Sequence, residues 1–364
     1  MSSEHSLWPL FCGDLSFARH WLIPQLQQVP LNRRLGHLAL SLGLYDTVSS
    51  LLAQGNGGEA QTQAQLRFRL ARQQGLANPY DELVPDELHS HTQEAFEQHQ
   101  RSASVLPVSL NGGLGDHLEA LCLLLPWAEQ NGLKLKIHTA PSRAAQFKRL
   151  LEPISWLEWG GAGAPGDIPA MALRSLIYSQ ASPPKYKAWI PSTQTRWIKQ
   201  NWLFCWRAAG AGDAFSAHCR SVPFSQVLEF YKQLKSATNQ AIIDMSQWNS
   251  WEESQLQRLG IQLHDPCKGD LADLIPLIKH SDVISIDTAL AHLCAAMGYR
   301  ATVLLPKFPD ERWVELHQPQ HCYGEYLTAI QAWDFASWKI TMKNLLAHCL
   351  NQAGCDSGTG SAIA

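Results

Sequence analysis

Apolar residues recur at helical spacing through the first hundred positions, where β-branched runs are scarce. Leu35, Leu38, Leu40, Leu42 and Leu44, then Val48, Leu51 and Leu52, predict a helical hairpin broken around Gly43. A second helix is expected from Ala60 to Gln74. The stretch from Asn78 to Arg101 carries Pro79, Pro85, many Glu and His and little apolar content, and reads as an exposed helix or linker. No repeat of fixed period emerges, so residues 1–102 form a helical accessory region.

From Val105 the pattern changes to short apolar runs alternating with amphipathic stretches. Val105 to Asn111 predicts a strand, Gly112 to Gly115 a turn, and His117 to Gln130 a helix stopped by Asn131-Gly132. Leu133 to Thr139 is a second strand, Arg143 to Leu151 a helix, Ser155 to Trp159 a third strand, and Gly160 to Pro169 a loop. Pro183-Pro184 and Pro191 punctuate a crossover into a new unit. There Trp202 to Arg207, Ala241 to Met245, Ile261 to Leu263, Val283 to Ile286 and Ala301 to Leu305 read as strands, with helices at Ser225 to Leu234 and Ala289 to Met297. Repeated strand and helix argue for two parallel sheets covered on both faces, with a crevice between them, over residues 103–200 and 201–350. Residues 351–364, rich in Gly and Ser from Gln352, are expected to be a disordered tail.

Composition narrows the classes without choosing among them. Hydrophobic residues make up 45% and charged residues 17% of the 364, as in folded proteins, and a net charge of −3 gives no global field to attract nucleic acid. The nine cysteines are scattered, with no CxxC pair and no zinc-like spacing, and no apolar run is long enough to span a membrane. A reducing cytoplasm fits this usage.

Three loops can carry chemistry, and in a doubly wound fold all three lie at the carboxyl ends of strands. In the first, Gly113 and Gly115 let backbone approach a ligand, and Asp116 can take a proton from an attacking hydroxyl. The alternative is that Asp116 only caps the helix. The second runs from Arg207 to Arg220, whose guanidinium groups can neutralise a diphosphate or be solvated loop residues. In the third, Asp287 and Thr288 fall at a helix start where free amides hold phosphate, with His292 one turn on; the plain alternative is an N-cap and a packed histidine. Trp206 and Trp313 fall beside these loops and can stack on a base or sugar. No DxD pair is present, so a metal-free mechanism without cofactor is expected.

Taken in order, these segments resemble the heptosyltransferases of glycosyltransferase family 9, most of all the members attached to tetratricopeptide-type regions. The matching residues are Gly113-Leu-Gly-Asp116-His-Leu-Glu-Ala-Leu, Phe204-Cys-Trp-Arg207 with Arg220-Ser-Val-Pro223, Ser285-Ile-Asp287-Thr-Ala-Leu-Ala-His292 running to Gly298, and Leu304-Leu-Pro306 with Pro309-Asp310-Glu-Arg312-Trp313. Glu311 stands where those relatives usually have tryptophan. The resemblance covers about two thirds of the chain, from about Val105 to Leu350. It implies an α/β GT-B fold, two Rossmann-like domains facing a central cleft, here with an α-helical N-terminal extension. It further implies inversion at the anomeric carbon, a nucleotide-diphosphate-sugar donor, and a glycan, lipid-linked sugar or protein as hydroxyl acceptor. Asp116 takes the role of base, and Gly113, Gly115, Arg207, Arg220, Asp287, Thr288 and His292 that of donor contacts, with Trp206 and Arg312 as substrate contacts. A cytoplasmic location, peripheral to the inner membrane face, is expected for such an enzyme. The autotransporter-modifying branch holds iron through clustered cysteines, and this sequence has no such cluster. An epimerase on the same fold and a catalytically silent scaffold are the alternative readings.

Overall fold

The computed structural model describes residues 14–28, 31–55, 59–73, 84, 86–102, 105–110, 112–161, 167–180, 187–190, 199–208, 214–265, 269–310, 313, 323, 326–332 and 338–356. The chain is a mixed α/β protein with two wholly parallel sheets.

Among the described residues four helices come first: α1 (Leu15–Gln28), α2 (Arg33–Ser41), α3 (Tyr45–Ala53) and α4 (Ala60–Gln73). Asn32 starts α2 by accepting a hydrogen bond from the Leu35 amide at 2.9 Å. The hairpin expected between α2 and α3 turns at Gly43, whose φ of +68° is open to glycine at little cost. Leu22, Leu26, Leu38, Leu42, Val48, Leu66 and Leu70 bury into one core.

The next helix, α5 (Asp86–Ser102), is the helix of the two readings, exposed helix or linker, given for Asn78 to Arg101, but part of it is buried. Thr92 and Phe96 are buried, and the Phe96 ring lies 5.3 Å from Trp127. With an apolar position only about once per turn, α5 looks polar in sequence, yet its narrow stripe packs against the unit of the first sheet rather than against α1 to α4.

That first sheet holds β1 (Val105–Ser109), β2 (Lys134–His138), β3 (Leu157–Trp159) and β4 (Ile168–Pro169), in the order β3-β2-β1-β4. Its helices are α6 (Leu114–Gln130), α7 (Pro141–Leu151) and α8 (Ala170–Tyr178). From His117 to Ala128 every residue of α6 is buried, so this helix has no solvent face. β4 and α8 fall where a loop and a crossover were expected; residues 181–186 and 191–198, with Pro183, Pro184 and Pro191, lie outside the described residues.

The second sheet holds β5 (Asn201–Cys205), β6 (Ala241–Asp244), β7 (Gln262–Leu263), β8 (Ser281–Ile286), β9 (Ala301–Leu305) and β10 (Leu327–Gln331). Their order is β10-β9-β8-β5-β6-β7, so counted from β5 the edge-to-edge sequence is that of the dinucleotide-binding doubly wound sheet. The helices are α9 (Ala214–Arg220), α10 (Phe224–Ala237), α11 (Ser250–Arg258), α12 (Ile275–Lys279), α13 (Ala289–Ala296) and α14 (Lys339–Asp356). α9 stands in what was expected to be a polar loop. α14 packs on α10 and continues past Gln352, where a tail was expected to begin; 357–364 lie outside the described residues.

Strand alternation sorts β5 into two cores. Trp202, Phe204 and Trp206 point to one face and stack on each other, with Phe204 and Trp206 centroids 4.9 Å apart. Leu203 and Cys205 point to the other face, into a core that also contains Leu118 and Leu121 of α6 and Leu293 of α13. Apolar packing thus continues from the first sheet to the second.

Within the aromatic core one carboxylate is buried. Asp244 accepts hydrogen bonds from the Tyr231 hydroxyl (2.8 Å), the Ser246 amide (2.6 Å) and the Trp248 indole (3.1 Å), while Tyr231 accepts from the Trp206 indole (2.6 Å). Burial pushes its carboxyl from an ordinary 3.8 up to about 6. The folded state therefore holds this proton more tightly than the unfolded chain, and Asp244 lowers stability as pH rises from about 4 to about 6. His117, pushed down from 6.5 to about 4 by burial, contributes the opposite slope. Asp244→Asn is expected to keep the acceptor and remove the first slope alone. Urea unfolding from pH 4 to 7 should show the variant gaining on the wild-type protein with rising pH, and parallel curves would refute the buried charge.

Candidate functional site

In a parallel sheet the amides and loops at the carboxyl ends of the strands gather on one edge, and a crevice opens where strand order reverses. The reversals fall between β1 and β4 in the first sheet and between β5 and β8 in the second. The segments leaving β1, β5 and β8 are the three loops singled out by sequence.

After β1, Gly112 adopts φ +107°, and a Cβ there would lie 2.6 Å from Asp116 Oδ2. Gly113 is the N-cap of α6, and its amide donates to Asp116 Oδ2 at 2.7 Å. Asp116 thus closes the turn as an N3 carboxylate, half-buried at the mouth of α6. Capping and proton acceptance are compatible, since a carboxylate has two oxygens and about four lone-pair directions. Asn111 lies outside the described residues.

After β8, Asp287 is buried and Thr288 is the N-cap of α13. The Thr288 hydroxyl is within 2.9 Å of Ser285 Oγ and donates to Cys205 Sγ at 3.7 Å, so it turns into the strand end and leaves α13 without a side-chain cap. Arg220 donates from Nη1 to the Asp287 carbonyl (3.0 Å) and to its Oδ2 (3.2 Å). His292 is buried, with Nδ1 2.8 Å from the Tyr323 hydroxyl, Nε2 3.7 Å from Asp287 Oδ1, and the Trp313 ring centroid 5.4 Å away. This joins Arg220, Asp287, His292 and Tyr323 in one chain of polar neighbours.

α6 and α13 pack against each other, and a close backbone approach involves Gly115. A Cβ on Gly115 would lie 2.6 Å from His292 Cδ2, so only a glycine lets the first turn of α6 rest on α13. A crevice was expected between the two units; at Gly115 and His292 the first turn of α6 and the helix after Asp287 are instead in direct contact.

Other expectations shift. Trp206 has no exposed surface: its indole is hydrogen-bonded to Tyr231 inside the aromatic core, so it serves packing and offers no face to substrate. Arg207 makes a fork to Glu252, with both bonds at 2.9 Å, and lies 4.4 Å over the Trp248 ring. Its charge is directed at α11 rather than at the start of α13. Arg312 lies outside the described residues, as do Gly210, Gly212 and Asp213.

Several residues were missed. Glu252 caps α11 reciprocally with Asn249 and also takes the Arg207 fork; the Asn249-x-x-Glu252 spacing is a readable capping box. Beside it, Phe224 stacks edge-on against both Trp248 (5.2 Å) and Trp251 (5.6 Å), and Trp251 is 63% exposed, unusual for tryptophan. Both helices carrying these rings begin on the same edge as the β5 and β6 carboxyl ends. At the end of β2, His138 Nδ1 is 2.7 Å from Asp167 Oδ2, a pairing over 29 positions that no local pattern announces. Among the described residues no three His, Cys, Asp or Glu side chains gather as a metal site, and no helix is long and apolar enough to cross a membrane.

No protein-family model and no curated protein matches the chain. Among solved structures it is similar to the E. coli heptosyltransferase WaaC bound to ADP-2-deoxy-2-fluoro heptose, at 14% identity and a TM-score of 0.39, over 67% of this chain and 99% of that one. It is also similar to TibC, an iron-containing dodecameric glycosyltransferase of enterotoxigenic E. coli, at 11% identity and a TM-score of 0.43, over 70% of this chain and 76% of that one. Likeness at this level decides neither fold nor chemistry, which rest on the residues themselves.

Gly115→Ala is expected to destabilise the fold by about 1–3 kcal/mol through overpacking against His292, and His292→Ala to relieve most of that cost. Denaturant melts of the two single variants and the double variant measure the coupling; additive losses would contradict the contact.

Proposed function

We propose that the protein transfers a sugar from a nucleotide-diphosphate-sugar to a hydroxyl acceptor, as a heptosyltransferase-like GT-B enzyme with two Rossmann-like units and a helical N-terminal extension. What carries the reading is the start of α13 at the switch point of the second sheet, where Thr288 makes no side-chain cap, set directly against the glycine loop that holds Asp116. The ordered motif resemblance points the same way.

In this reading the donor diphosphate lies at the start of α13, where backbone amides and the helix dipole favour negative charge. The acceptor oxygen attacks the anomeric carbon from the side opposite the diphosphate, its proton passes to the Asp116 carboxylate, and the bond to the phosphate oxygen breaks with its electron pair leaving on the nucleoside diphosphate. Configuration inverts, and neither metal nor cofactor takes part. Arg220 fixes Asp287 and adds positive charge near the leaving group. Arg207 acts through Glu252 and Trp248, and Trp251 with Phe224 gives the nucleobase a stacking surface. The acceptor is a glycan, a lipid-linked sugar or a protein side chain.

Calorimetry with ADP, UDP, GDP and inorganic pyrophosphate tests the donor site. At least one nucleoside diphosphate should bind, Trp251→Ala should weaken it by roughly tenfold or more while sparing pyrophosphate, and Trp251→Phe should restore most of the loss. Asp116→Asn retains an oxygen for the Gly113 amide, so it should bind donor normally while transfer falls about a hundredfold or more. Absence of binding by every nucleotide would sink the reading, as would full transfer activity in the Asp116→Asn variant.

A further inference from the structure

The helical N-terminal region touches the second sheet's unit at α9, whose Arg220 reaches the start of α13. α9 is short, and its last residues serve three different neighbours. Ala217 buries into the aromatic core of the second sheet, Cys219 buries into the core of α1 to α4, and Arg220 donates to the Asp287 carbonyl and carboxylate. Ser221 then locks the end of α9, donating to the Ala217 carbonyl at 2.6 Å and accepting from the Ala208 amide at 3.0 Å.

A second contact lies on the loop after β9. Phe308 fits into the turn between α2 and α3 so closely that a Cβ on Gly43 would lie 2.4 Å from its ring. Arg19 of α1 clasps the same place: its Nε donates to the Leu42 carbonyl at 2.8 Å, and its guanidinium lies 5.2 Å from the Phe308 ring centroid. Helix α9 after β5 and the loop after β9 are therefore gripped by the same small helical core.

We infer that α1 to α4 form a fixed wall of the donor site, in which the contacts of Cys219 and Phe308 hold α9 so that Arg220 meets Asp287. This rests on the donor-site reading above for its consequence, though not for its geometry. Cys219 and Phe308 are positioning residues: neither touches the donor, and each acts through the placement of Arg220. A helical region that swung free as a recruiting arm would leave donor affinity indifferent to this seam. A wall makes donor affinity depend on it, so whatever binds or loosens α1 to α4 tunes nucleotide binding.

Cys219→Asp places a charge in the apolar seam, and Gly43→Ala, strained at positive φ and crowded by Phe308, disturbs the same seam from the other side should the first variant fail to fold. Two readouts on the full chain decide the matter. Hydrogen exchange of the amides of 214–220 should quicken in either variant with no nucleotide present. Affinity for the nucleoside diphosphate that the wild-type protein binds best, among ADP, UDP and GDP, should fall about tenfold, and the fall should vanish in an Arg220→Gln background because the wall acts through that side chain. Unchanged exchange, or an equal loss with and without Arg220, would overturn the inference. A wild-type protein that binds no nucleotide would instead refute the donor-site reading, with the exchange result still deciding whether the wall exists.

Discussion

Two parallel sheets that share no strand are held together where α6 rests on α13, and that contact exists because residue 115 has no side chain. His292 fills the space a Cβ would take, and Leu118, Leu121, Leu293 and Ala296 continue the apolar packing to either side. Packing at this density resists small displacements, so the loops at the head of each helix keep a set separation. The position of Asp116 relative to the start of α13 is a consequence of that packing.

From this constraint the electrostatics follow. The two helix starts are treated differently. At α6 the chain supplies its own carboxylate, Asp116, to the Gly113 amide. At α13 the N-cap residue Thr288 is drawn back to Ser285 and Cys205 and makes no side-chain cap. In the transferase reading, this asymmetry separates the acceptor's base from the donor's phosphates. The arginines divide the work. Arg220 serves the start of α13, while Arg207, locked to Glu252, serves α11 and its tryptophans.

Much of this was legible in the sequence because it is local. Strand runs, the Gly43 turn, the strand-to-helix junction at Asp287-Thr288 and the glycine loop all declare themselves within a few residues. Roles that depend on distant partners did not. Arg207 reads as a phosphate ligand until Glu252, 45 positions on, is seen to occupy it. Trp206 reads as a surface ring beside a loop, whereas period-two alternation with Trp202 and Phe204 assigns it to the aromatic core. α5 shows so few apolar residues that its burial against Trp127 has no signature, and α9 hides in a stretch of Gly, Ala and Ser that matches a loop. The His138–Asp167 pair joins β2 to the entry of β4 and is equally silent.

A crystal structure of the protein grown with the nucleoside diphosphate it binds best bears on this arrangement without any intermediate step. The diphosphate should sit at the first turn of α13, its oxygens facing the backbone amides after Thr288, with the base against Trp251 and the Asp116 carboxylate across the crevice on the acceptor side. A nucleotide bound at any other edge of the sheets, or an α13 start closed off by protein atoms in the complex, would refute the assignment.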